Sequence, residues 1–103
     1  SNMDFEKSKE YYIKIVNELR NRVKKLIVIS LLPTDRKYIN IKVEDFNNWL
    51  KNSYPNEFLN LYQYFIDENL EMKRVYTTDG IHLNHKGYEI FNKILDKRLQ
   101  EIK

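Results

Sequence analysis

The stretch Asp79-Gly80-Ile81-His82-Leu83-Asn84-His85-Lys86-Gly87-Tyr88 gathers both histidines and both glycines of the chain. Asp and His three positions apart can set a carboxylate against one imidazole nitrogen, which leaves the other nitrogen to act as a general base. The intervening Gly80 permits the tight loop that this requires. Such a pair is the Asp-His half of a nucleophilic triad. Taken alone the signal is weak, because an Asp in a loop more often forms a turn or a cap. Asp79, His82 and His85 as a metal set lack a further Glu or His at suitable spacing, so metal binding ranks last and no metal is expected. His85 reads more simply as a surface residue opening the last helix.

Hydrophobic periodicity gives the elements that must position this loop. Phe5, Tyr12, Val16, Leu19, Val23 and Leu26 fall on one helical stripe, which predicts a long amphipathic helix from Asp4 to Lys25. Leu26 to Leu32 is an apolar run closed by Pro33, and its lack of alternation predicts a strand covered on both faces, as in a parallel sheet. Thr34 to Asn40 reads as polar and irregular. Val43, Phe46, Trp49, Leu50 and Tyr54 predict a second helix that ends near Ser53, ahead of Pro55. Phe58 to Leu61 suits a second strand, although Leu61 to Ile66 also fits a helical turn. Asn69 to Thr78 reads as a loop. Asn84 is the expected N-cap of a final helix marked by Tyr88, Phe91, Ile94, Leu95, Leu99 and Ile102. The alternation of helix and strand predicts an α/β fold: a small open parallel sheet with covering helices and functional loops at the carboxyl ends of the strands.

Composition narrows the classes. A chain of 103 residues has room for one domain at most, and 42% hydrophobic residues with only two Gly and two Pro argue against global disorder. The expected organisation is an expression scar at Ser1-Asn2 and a single α/β unit over 3–103. The net charge of +3 comes from basic residues mixed with acidic ones, so no phosphate-tracking block supports nucleic-acid binding. Without cysteine there is no disulfide, thiolate metal site or Cys nucleophile. The longest apolar run is far short of the ~20 residues that span a bilayer. No signal-peptide pattern is present, so a cytoplasmic location is the default. Trp49 and the tyrosines, scattered over several elements, read as packing residues.

The Asp79 to Tyr88 stretch resembles the C-terminal signature of the SGNH/GDSL hydrolases, in which an Asp-x-x-His loop precedes Asn, a Gly-Tyr pair and the final helix. The strand ending Ser30-Leu31-Leu32-Pro33-Thr34, the helix through Phe46-Asn47-Asn48-Trp49-Leu50 and the segment Phe58-Leu59-Asn60-Leu61-Tyr62 follow that family's order. The resemblance implies a partial three-layer α/β/α fold of flavodoxin-like type. It further implies that Asp79 orients the imidazole and that His82 activates a serine for attack on a carboxylic ester or O-acyl group, with no cofactor.

The family's Gly-Asp-Ser nucleophile and its oxyanion-hole Gly and Gly-x-Asn-Asp motif precede the helix with which this chain opens, and none occurs here. The serines are Ser1, Ser8, Ser30 and Ser53, none on an elbow suited to attack. The chain thus resembles the C-terminal half of such a hydrolase, inactive alone. Its expected partner is the missing N-terminal half or a second copy, because a strand edge is left open. A non-catalytic, self-associating or partner-binding domain that keeps the half-fold is the alternative.

Overall fold

The computed structural model describes residues 4–102, so the scar expected at Ser1-Asn2 lies outside the described residues. Helix α1 spans Phe5–Arg20, strand β1 Val28–Ile29, helix α2 Lys37–Ser53, strand β2 Phe58–Leu59 and helix α3 His85–Glu101. Short 3-10 turns lie at Tyr62–Tyr64 and Arg74–Tyr76. The two strands run parallel, with Val28 opposite Phe58 and Ile29 opposite Leu59. No helix among the described residues is long and apolar enough to cross a membrane.

Each face of this small sheet is covered. Val28 and Phe58 pack with Val16, Phe46, Leu50 and Tyr54 of α1, α2 and the turn after α2. Ile27, Ile29 and Leu59 pack on the opposite side with Phe65, Met72 and Leu83, and with Ile90, Phe91, Ile94 and Leu95 of α3. Alternate residues of one strand therefore serve two cores, which is the physical meaning of an apolar run without alternation. The molecule has α/β architecture in three layers, with α1 and α2 on one face and α3 on the other.

Several boundaries differ from those read from periodicity. Helix α1 stops at Arg20, not Lys25: the amides of Arg22 and Val23 both turn back to the Leu19 carbonyl at 2.9 Å. Val23 is consequently exposed, and of the stripe only Val16 is fully buried. Its start is capped by Asp4, which accepts from the Lys7 amide at 3.1 Å. An Arg20–Glu57 ion pair ties the end of α1 to the approach to β2.

The paired part of β1 is two residues long, much less than Leu26 to Leu32. Beyond Ser30 the extended backbone leaves β2 and pairs with side chains of α2. The Asn47 amide accepts from the Leu31 N–H at 2.8 Å and donates to its carbonyl at 3.1 Å. Asn40 repeats this on Thr34, at 2.7 and 2.8 Å. Helix α2 also begins at Lys37, inside the stretch read as irregular, because Asn40 is buried on its inner face and Ile39 and Asn40 already bond back to Arg36. The segment after β2 resolves its ambiguity by being both, strand at Phe58–Leu59 and then a 3-10 turn. In α3, Tyr88 and Leu99 are exposed, and Ile90 takes a place in the core that the periodic stripe omitted.

Candidate functional site

The loop between the Arg74–Tyr76 turn and α3 is built to hold one shape. At its base Thr77 and Leu83 form an antiparallel bridge, and the Asn84 amide donates to the Tyr76 carbonyl at 2.8 Å. Asn84 is the N-cap of α3: its Oδ1 accepts from the Gly87 N–H at 2.9 Å while its Nδ2 donates to the Val75 carbonyl at 3.0 Å. Gly87 leaves room for this docking, since a Cβ there would lie 2.8 Å from the Tyr76 carbonyl oxygen. At the tip, Gly80 has φ of +82°, the left-handed region that an L side chain resists. Its carbonyl accepts from the Asp35 amide at 2.7 Å, so the tip rests on the segment leaving the carboxyl end of β1.

Within that frame the Asp79 carboxylate uses both oxygens. Oδ1 accepts from the backbone N–H groups of Ile81 at 2.9 Å and His82 at 2.8 Å, and Oδ2 lies 2.7 Å from Nδ1 of His82. The His82 side-chain contact, followed by the His82 and Ile81 amides, holds the Asp79 carboxyl well below the usual carboxylate range. An ionised Asp79 can only accept, so it selects the tautomer with the proton on Nδ1 and the lone pair on Nε2. Among the described residues Nε2 has no hydrogen-bond partner, and the His82 side chain is 77% exposed. The arrangement offers an oriented, accessible base.

His85, three residues on, turns away to pair through Nε2 with Glu89 at 2.8 Å, and no group of metal ligands forms among the described residues. The serines lie elsewhere. Ser8 bonds to the Asp4 carbonyl within α1, and Ser53 ends α2. Ser30 is buried and accepts from the amides of Leu61 and Tyr62 at 2.9 and 3.0 Å, which makes it a splint between the segments that follow the two strands.

Periodicity passed over the polar residues that shape the site's surroundings. Asn40 and Asn47 sit seven apart on the buried face of α2 among Val43, Phe46 and Leu50, and a polar pair at heptad spacing inside an apolar stripe was the available signal. Asn40 also donates to the Leu70 carbonyl at 2.7 Å, linking α2 to the segment that leads toward the loop. Thr77 and Asp35 carried no such mark in the sequence.

The three-layer α/β half-sandwich is a fold shared with two solved structures, one described as an acylhydrolase and one as a GDSL-like lipase. One is a candidate acylhydrolase from Bacteroides fragilis NCTC 9343, with a TM-score of 0.86 and 18% identity over 99% of this chain and 54% of that one. The other is a GDSL-like lipase from Bacteroides thetaiotaomicron VPI-5482, with a TM-score of 0.85 and 19% identity over 100% of this chain and 56% of that one. The chain therefore spans about half the length of the structures it matches, and at this identity the likeness is one of fold. No family profile and no curated protein matches the sequence.

Proposed function

We propose that this chain is the C-terminal part of a serine ester hydrolase of the GDSL type, in which Asp79 orients His82 and His82 takes the proton of a serine that lies outside these residues. The observation that carries the reading is the 2.7 Å contact between Asp79 Oδ2 and His82 Nδ1, with Nε2 left free. In the complete enzyme the serine oxygen would attack the carbonyl of a carboxylic ester or O-acyl group as Nε2 accepts its proton. The imidazolium, steadied by Asp79, would then return that proton to the leaving alkoxide. The Asp79–His82 pair calls on no cofactor. A cleft of about 550 Å³ borders Ile81, the residue before His82; Leu31, Leu32, Ile39 and Val43 give it an apolar stretch that suits an acyl chain, while Thr34, Asp35 and Arg36 make the rest of its wall polar.

A second reading is favoured by one observation. The N–H and C=O of Ile29, on the side of β1 away from β2, have no partner among the described residues, so the sheet has an edge open to pairing. A half-fold that closes this edge with a second copy is a self-associating domain without catalysis.

One experiment separates them. The chain alone, offered a short p-nitrophenyl ester, shows no turnover above background, because His82 has no nucleophile to activate. The chain expressed in one polypeptide with the coding sequence adjoining it on the N-terminal side shows turnover that His82→Ala abolishes. Absence of a Gly-Asp-Ser sequence there, or activity indifferent to His82→Ala, overturns the hydrolase reading. A dimer mass for the chain by sedimentation equilibrium at tens of micromolar would then favour the alternative.

A further inference from the structure

The Asp79–His82 pair lies on an exposed loop where water competes for each hydrogen bond, yet every backbone N–H from Gly80 to His82 is held by a side chain. Asp79 Oδ1 accepts from the amides of residues 81 and 82. The remaining inward groups fall to one further side chain. Thr77 Oγ1 accepts from the Gly80 N–H at 2.9 Å and donates to the His82 carbonyl at 2.6 Å. Its single hydroxyl proton goes to that shorter contact, so its 3.4 Å approach to Asp79 Oδ1 is not a second donation. The His82 peptide is thereby gripped on both sides, its N–H by Asp79 and its C=O by Thr77. With both fixed, the Cα–Cβ bond of His82 aims Nδ1 at Asp79 Oδ2.

We infer that Thr77 is a positioning residue for His82, whose hydroxyl holds the His82 backbone where Asp79 can select the imidazole tautomer, without itself touching the ring. The inference rests on the reading of Asp79 and His82 as an acid–base pair, and its test needs no substrate. Long-range 1H–15N spectra of the imidazoles, recorded where the rings are neutral, report the ratio of Nδ1–H to Nε2–H tautomers. His82 in the parent chain is expected to be mostly Nδ1–H. Thr77→Val, which keeps the shape and removes the hydroxyl, lowers that ratio roughly fivefold, the change set by losing one ordinary hydrogen bond. Thr77→Ser restores it. His85, bonded to Glu89 on α3, stays unchanged throughout and reports that the helix start is intact.

A parent-like ratio in Thr77→Val overturns the inference, as does a folded Thr77→Ser that fails to restore it. A drift of His85 together with His82 also overturns it, because Thr77 would then be holding the loop in general. These outcomes leave the hydrolase reading untouched, and a failed esterase assay leaves the tautomer result standing.

Discussion

Replacing Gly80 by Ala tests whether the loop tip is held by backbone conformation and by close packing together. At φ of +82° the residue is in the left-handed region, where an L side chain costs roughly 1–2 kcal/mol. The added Cβ would also overlap the Asp35 carboxylate and lie 2.7 Å from Asp35 Cβ, too close to be relieved by rotating the carboxylate alone. Overpacking of this kind costs roughly 1–3 kcal/mol. The two penalties together come to about 2–5 kcal/mol, against a stability of ~5–15 kcal/mol for an ordinary domain. Taking the middle of that penalty range, ~3.5 kcal/mol, and a urea slope of ~2 kcal/mol per molar, the unfolding midpoint should fall by roughly 2 M, followed by circular dichroism. The packing part is separable. In an Asp35→Gly background the same Gly80→Ala change should cost only the ~1–2 kcal/mol of conformation, giving a coupling of about 1–3 kcal/mol between the two sites. An equal cost in both backgrounds refutes the steric account, and a cost under about 0.5 kcal/mol in the parent refutes the reasoning entirely.

Two further outcomes follow from groups around the site. Ser30→Ala orphans two buried amides, those of Leu61 and Tyr62, and should destabilise the chain by about 2–4 kcal/mol in urea unfolding, with faster hydrogen exchange at both amides. A loss under about 0.5 kcal/mol would show that the splint is dispensable. Asp79 has a lowered folded pKa, so its tie to the loop is complete above the unfolded value of ~3.9 and fades only as pH falls through the lower folded value. The Ile81 and His82 amide shifts should therefore stay level from about pH 5 down through that ordinary range, and a midpoint near 4 would contradict the hydrogen-bonding scheme. Asp79→Asn should remove whatever strongly acidic transition remains.

The sequence by itself determined the order of elements and the local chemistry of the loop. Apolar spacing marks helices whether or not their partners are known, and an unalternating apolar run marks a strand with two covered faces. Asp79, His82 and the Asn84 cap lie within six residues, so short-range geometry suffices to bring them together. Tertiary structure decided what depends on groups distant in the chain. Strand β1 is short because only Phe58 and Leu59 reach it, and the backbone beyond it is paired by Asn47 and Asn40, from a helix that periodicity treats as merely apolar on that side. Ser30 became a structural acceptor because residues 61 and 62 present their amides to it. Asp35 became the wall against which Gly80 must remain a glycine. A polar residue declares its type in the sequence but not its partner, and a hydrogen bond between positions tens of residues apart exists only once the fold has brought donor and acceptor within about 3 Å.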